Sequence, residues 1–321
     1  MGRSRYGRRQ RTHPFRRGRQ LGPRRRYGPS GYGRTVRRPD NMTFNTFALK
    51  PVEVAGGSIP VVAATDVIFG RAGERDLRLD LYRPAAGTES PLPAVVFIHG
   101  GGWHGGDKAD YRDLAARVAS RGYLCASVDY RLSVEALFPA ALEDCKAAVR
   151  WLRAHAIVIR ADPRYVAAWG HSAGGHLAAM LALTPGRFES AGGSPHAASG
   201  VRCALCFSTP FDLAALVPSL RASLEQFLGS TAVERAAILA RASPISYAPG
   251  STTPFFVCHG DQDDLVPVEQ SDRFVAAVRR AEAPVEFARV PGAGHDLERY
   301  SEDIFAGALA FLDTHLKQPP R

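Results

Sequence analysis

Three stretches of this chain are apolar from end to end and then break abruptly into glycine. PAVVFI (Pro93 to Ile98) runs into HGGGW, YVAAW (Tyr165 to Trp169) into GHSAGG, and PFFVC (Pro254 to Cys258) into HGDQDD. A strand with one wet face alternates polar and apolar residues, so an unbroken apolar run marks a strand buried on both faces. Val285 to Val290, leading into PGAGH, reads as a fourth strand of the same kind of edge, with Tyr123 to Val128 and Val201 to Ser208 as others. Helical periodicity fills the gaps: Tyr111 to Arg121 closed by Gly122, Ala140 to Ala154, Gly174 to Leu183, Val268 to Ala281 and about Glu302 to Leu316. Thr65 to Phe69 and Leu77 to Tyr82 read as an antiparallel pair joined by the turn GRAGERD. This alternation predicts an α/β protein, a mostly parallel sheet flanked by helices on both faces. Residues 210–249 break the alternation and are expected to form a small helical cap insertion; there are no internal repeats.

Ligands of such sheets gather at the carboxyl ends of the strands, so the residues that follow each strand carry the functional argument. Gly170-His171-Ser172-Ala173-Gly174 fits G-x-S-x-G, a strand turning sharply into a helix with a serine at the apex. Glycine is needed on either side because neighbouring backbone passes where a Cβ would sit. A serine placed there needs a base, a group to orient the base, and donors for an oxyanion. The glycines of His99-Gly100-Gly101-Gly102-Trp103 leave backbone N–H groups unobstructed; with the N–H of Ala173 at a helix N-terminus, those of Gly101 and Gly102 are the expected oxyanion donors, Trp103 N–H being an alternative. In the order serine, acid, histidine, the base falls on His295 of PGAGHD and the acid on one of three crowded aspartates, Asp261, Asp263 and Asp264. His99, His171, His176 and His259 are expected to serve structure, with His171 pointing away from the serine. Trp103, Tyr130 and Phe138 are expected as substrate-binding pocket walls.

Composition limits the alternatives. The chain has 321 residues, 45% of them hydrophobic, enough for a substantial core. No apolar run approaches the length of a membrane span, so no membrane association is expected. The net charge of +10 is misleading until it is located: residues 1–41 hold 14 arginines and one acid, while the rest holds 27 basic and 30 acidic residues. That tail of Arg, Gly, Pro and Tyr has no hydrophobic period and is expected to be disordered, with residues 42–321 forming the folded domain. Three readings of the tail compete: a nucleic-acid-binding RGG-like segment, a transit peptide, or an extension preceding a true start at Met42. The five cysteines, with no secretory segment before them, point to reduced thiols and a cytoplasmic location. Cys203 and Cys206 have CxxC spacing, but on a strand they face opposite sides, and no second pair completes a zinc site. No metal and no organic cofactor is expected.

Taken together, HGGGW, GHSAGGHLA, HGDQDDLVP and GAGH resemble the motifs of the α/β-hydrolase esterases over residues 60 to 316. The chain is similar to the hormone-sensitive-lipase-like and the feruloyl- or acetyl-xylan-type esterases, and more distantly to arylformamidases. ASVDYRLSVEALFPAALEDCKAAVRWL resembles the DYRLSPEAPFPAALEDVRAAVRWL segment of that family. The resemblance to HGxxDxxVP puts the acid on Asp263. It implies a Ser172–His295–Asp263 triad acting on a small-molecule ester through an acyl-enzyme. His171, where the hormone-sensitive-lipase branch usually has aspartate, favours the feruloyl-esterase-like branch. IVIRADPRYVAAW also departs from the family's GIDPDRI spelling, although Asp162-Pro163 keeps a turn before the elbow strand. An amidase or arylformamidase with the same triad, a nucleic-acid-associated protein acting through the tail, and a catalytically dead binding module are the competing readings.

Overall fold

The structure is a computed structural model that describes residues 48–54, 59–85, 90–190, 194–229, 235–297 and 301–317. The arginine-rich tail, and every expectation attached to it, lies outside the described residues. Nine strands form one sheet in the order β1-β2-β3-β5-β4-β6-β7-β8-β9. They are β1 (Lys50–Val52), β2 (Val61–Ala72), β3 (Arg75–Pro84), β4 (Leu92–Ile98), β5 (Leu124–Val128), β6 (Ala161–His171), β7 (Cys203–Phe207), β8 (Phe255–Gly260) and β9 (Val285–Val290). β1, β2, β3 and β5 pair antiparallel in turn, and every pairing from β5 through β4 to β9 is parallel. The expected β2–β3 hairpin is present but longer than the reading of GRAGERD allowed. Gly73, at φ +62°, lets the chain reverse in two residues.

The helices are α1 (Arg112–Ala119), α2 (Ala140–Ala154), α3 (Ala156–Ile159), α4 (Ala173–Leu183), α5 (Arg221–Leu228), α6 (Arg235–Ala242), α7 (Glu269–Arg280) and α8 (Glu302–Leu316). α1 and α8 pack on one face of the sheet and α2, α4 and α7 on the other, each face with its own buried apolar cluster. β5, β7 and β8 are buried at every residue, as unbroken apolar runs require. Cys203 and Cys206 fall in opposite clusters, and all five cysteines are buried and outside any disulfide. β4 leads to α1 on one face and the adjacent β6 to α4 on the other, so the sheet order reverses between them. That reversal opens a crevice at the carboxyl ends of β4 and β6.

The segment between β7 and β8 is helical, as expected of an insertion: two short 3-10 turns, α5, α6 and two more 3-10 turns. It packs beside the HGGGW loop, with the Phe227 ring stacked on Trp103 at 4.7 Å between centroids.

The DYRL segment after β5 holds that loop from beneath. Tyr130 stacks on His99 and its hydroxyl donates to the His99 carbonyl (2.9 Å), while Ser133 N–H donates to the Trp103 carbonyl (2.8 Å). Arg131 anchors the segment to α2 through the buried Asp144, giving it Nε at 2.8 Å, Nη2 at 2.8 Å and its own backbone N–H at 2.9 Å. Removing one partner of a buried, bidentate pair leaves the other charge uncompensated. Asp144→Ala is therefore expected to destabilise the protein by about 3–5 kcal/mol in urea denaturation. A loss within experimental error would mean that Arg131 finds water without cost.

Candidate active site

Ser172 sits at the apex between β6 and α4 with φ +54° and ψ −121°, a strained conformation for a residue with a side chain. The glycines around it are demanded by contact. A Cβ on Gly170 would run into the carbonyl of Gly174, one on Gly174 into the carbonyls of Ile98 and His99, and one on Gly175 into Thr209 Oγ1. The strain is held by the Ser172 N–H, which donates to Phe207 O on β7 (2.8 Å), and by the Ser172 carbonyl, which accepts from His176 N–H in the first turn of α4 (3.0 Å).

Loops from four parallel strands converge here. His295, after β9, places Nε2 3.0 Å from Ser172 Oγ and Nδ1 2.8 Å from Asp263 Oδ2, in the loop after β8. Asp263 is buried and its Oδ1 accepts the backbone N–H groups of Leu265 (3.0 Å) and Val266 (2.8 Å). Burial pushes its carboxyl up, but hydrogen bonds from His259, His295 and Val266 N–H outweigh it and hold the group well below the usual carboxylate range. Of the three candidate aspartates only this one reaches His295: Asp261 accepts from Gly292 N–H (2.7 Å), and Asp264 is exposed.

Gly101 (φ +100°) and Gly102 (φ +57°) turn the HGGGW loop across the mouth of the crevice, and a Cβ on Gly101 would strike the carbonyl of Gly105. Among the described residues, none accepts a hydrogen bond from the N–H of Gly101, Gly102 or Ala173. A cavity of about 290 Å³ opens over Ser172 and His295, walled by Gly100, Gly101, Gly102, His171, Leu265 and, at its rim, Asp110, Tyr111 and Asp296. Among the described residues no cluster of His, Cys, Asp and Glu is grouped to hold a metal ion, and no helix is long and apolar enough to cross a membrane.

The expected aromatic walls are not there. Trp103, at φ +64°, turns its ring inward, where the indole N–H donates to His176 Nδ1 (3.2 Å) and the ring stacks on Phe227. Tyr130 lies beneath His99, and Phe138 packs against Phe188 and Phe227. All three are buried, because each finds in the core the ring contacts it would lack at an open mouth. None comes to the cavity surface, and no described residue of the helical insertion does so either. His171 also departs from expectation: it walls the cavity, its Nε2–H donates to the His295 carbonyl (2.8 Å), and its ring centroid lies 4.8 Å from that of His295. The contributions of Asp110, Tyr111, Leu265 and Asp296 carry no sequence signal, since they follow from loop conformation alone.

These geometries frame the likeness to known proteins. Residues 79–278 match the family described as BD-FAE. The chain belongs to the BD-FAE family. This BD-FAE chain is 33% identical over 238 residues to esterase LipQ of Mycobacterium tuberculosis, covering 72% of this chain and 56% of that protein. It is 35% identical over 170 residues to carboxylesterase NlhH of the same organism, covering 46% of this chain and 53% of that one. The chain thus spans about half the length of these curated relatives. Among solved structures it superposes on Thermogutta terrifontis esterase 2 phosphonylated by sarin with a TM-score of 0.71 at 27% identity, covering 80% of this chain and 96% of that one. A truncated carbohydrate esterase from gut microbiota gives a TM-score of 0.75 at 23% identity over 83% of this chain and all of that one, a likeness of fold. The fold is that of the α/β-hydrolase esterases.

His176, fully buried on α4, ties three segments together: its Nδ1 accepts the Trp103 indole and its Nε2–H donates to Ala242 O at the end of α6 (2.7 Å). Burial lowers its pKa to about 4, against the opposing bond to Ala242 O; His171 is lowered to about 4 by burial as well. A histidine whose folded pKa lies below its unfolded value of roughly 6.5 takes up a proton on unfolding. Its contribution is complete above that value and is lost as pH falls toward 4. Each such histidine adds about 1.4 kcal/mol of lost stability per pH unit in that window. His176→Gln is expected to flatten the pH dependence of unfolding free energy between pH 6.5 and 4 by about one proton, measured by urea denaturation at several pH values. An unchanged slope would mean that His176 is not neutral in the folded protein.

Proposed function

We propose that this protein is a serine ester hydrolase acting on short-chain acyl esters of small molecules through an acyl-enzyme, with no metal or organic cofactor. The observation that carries this reading is the unbroken hydrogen-bonded chain from Ser172 Oγ through His295 to Asp263 at the floor of an open cavity. In this reading Ser172 Oγ attacks the acyl carbonyl while His295 Nε2 takes its proton. Asp263 keeps His295 in the Nδ1–H tautomer and stabilises the imidazolium. The developing oxyanion is received by the N–H groups of Gly101, Gly102 and Ala173. His295 then returns the proton to the departing alcohol, and a water activated by the same ring releases the acid. Five buried cysteines outside any disulfide suit a reducing, cytoplasmic setting for the enzyme.

Ser172→Ala and His295→Ala are each expected to lower kcat on p-nitrophenyl acetate by about 10⁴ to 10⁶ while the fold is retained by circular dichroism. Asp263→Asn is expected to cost about 10⁴, and Asp264→Asn little, since Asp264 points to solvent. Near-wild-type turnover in either alanine variant would remove the mechanism.

The cavity is small for a ligand site, and a pocket gains about 0.8 kcal/mol per buried methylene only until it is full. Activity along a p-nitrophenyl ester series is therefore expected to peak at short chains and fall well before sixteen carbons. Among the described residues, two carboxylates, Asp110 and Asp296, line this space and no lysine or arginine does. A hemisuccinate ester is thus expected to turn over about tenfold more slowly than the neutral butyrate of the same alcohol, a gap that narrows with salt. Equal rates at low salt would show that the two carboxylates do not act on the acyl group.

A further inference from the structure

Asp263 has one partner more than a serine–histidine–aspartate chain uses. His259, near the end of β8, is fully buried, and its Nε2 lies 3.0 Å from Asp263 Oδ2 and 2.8 Å from Val266 O. Both neighbours are acceptors, so Nε2 carries a proton. On the other side of the ring, Nδ1 lies 2.6 Å from Ser271 Oγ in the first turn of α7, and accepts that hydroxyl's hydrogen when the ring is neutral. Two imidazoles therefore donate to the same oxygen of Asp263, while the other oxygen takes two backbone N–H groups.

We propose that His259 is a positioning residue of the active site: it fixes the Asp263 carboxylate from behind and limits the basicity that Asp263 passes to His295. The proposal rests on the esterase reading above. Oδ2 divides its electron density between two N–H donors, so it stabilises a protonated His295 less than an oxygen serving that ring alone. Removing the His259 donor therefore strengthens the hold of Asp263 on the protonated His295 ring. The carboxylate is also aimed before His295 arrives, because His259, Leu265 and Val266 already hold both oxygens. Ser271 belongs to the same chain: by donating to Nδ1 it polarises the ring and makes Nε2–H the stronger donor.

The ionisable groups around these residues do not compete for this role. Asp263 is faced by the two histidines and by backbone N–H groups. His295 is faced by His171 from the elbow and shares the cavity lining with Asp110 and with its chain neighbour Asp296. Burial has already lowered His171 to about 4, so it is neutral well above that pH.

The test is the pH dependence of kcat/KM for p-nitrophenyl acetate in the full chain, comparing the wild type with His259→Leu, His259→Gln and Ser271→Ala. Ser172→Ala serves as the control for turnover that depends on the serine. His259→Leu keeps the bulk but removes the donor; its acid limb is expected to move up by roughly half to one pH unit, with kcat down about tenfold and KM within twofold. His259→Gln, whose amide still donates, is expected to restore the limb, and Ser271→Ala to shift it in the same direction by less. A merely structural histidine would lower the yield of folded protein and leave the limb in place, so an unmoved limb in folded His259→Leu overturns the proposal. Should that variant not fold, an unmoved limb in Ser271→Ala overturns it instead. ¹⁵N NMR of the wild type reads the tautomer without any activity: His259 is expected to be protonated at Nε2 from pH 6 to 9, and an Nδ1–H tautomer refutes the geometry. Absence of Ser172-dependent turnover in the wild type would sink the esterase reading, while the NMR result would still judge the hydrogen bonds of His259.

Discussion

The site depends first on how closely two backbones approach. The start of α4 lies so near the end of β4 that Gly174 has no room for a Cβ beside the carbonyls of Ile98 and His99. That contact sets the distance between the serine apex, which opens α4, and the HGGGW loop, which continues β4. The helix N-terminus at Ala173 and the N–H groups of Gly101 and Gly102 are brought to one crevice because the two strands are neighbours and their helices leave to opposite faces. A methyl group at Gly174 would push the two halves apart by more than a hydrogen bond tolerates.

Histidine is used here in more than one way. His171 and His176 are held neutral by burial and spend their ring N–H groups on backbone carbonyls, His295 O and Ala242 O, so they act as rigid spacers between loops. His295 lies between the Asp263 carboxylate and the Ser172 hydroxyl, as His259 lies between Asp263 and Ser271, but of the two only His295 opens onto the cavity. Asp263, whose carboxyl is held well below the usual range by its hydrogen bonds, is thus set directly behind the His295 ring.

Much of this was legible in the sequence, for reasons that also explain what was not. α2, α8 and β9 begin and end where periodicity put them, because each carries a regular pattern between clear breaks. β1 and α3 went unseen, being three and four residues long, too short for any period to show. β2 and β3 extend beyond their expected limits because irregular pairing between Ala64 and Val67, and again between Ile68 and Gly70, interrupts the alternation along β2. Within the site, Ser172 and His295 follow strands at glycine-rich breaks and so could be placed. The residues alone left three aspartates of one loop open; the resemblance to HGxxDxxVP singled out Asp263, and it is Asp263 that reaches His295. The pocket walls were misplaced because side-chain direction in a loop is set by φ and ψ, which composition does not report. Trp103 follows two glycines at the mouth, yet its own positive φ sends the indole into the core.

That inward turn makes physical sense of an otherwise costly loop. Glycine loses more conformational freedom on folding than any other residue, and three in succession would leave their backbone N–H groups unfixed. The loop is fastened by its bulky members instead. Trp103 is clamped by its bond to His176, its stacking on Phe227 and the donation of Ser133 N–H to its carbonyl; His99 is clamped by the ring and hydroxyl of Tyr130. Donors that must meet charge developing in a transition state are effective when they need not reorganise at that moment. On the esterase reading proposed above, the aromatic residues flanking HGGGW serve the chemistry without touching the substrate: core packing holds bare backbone still at the surface.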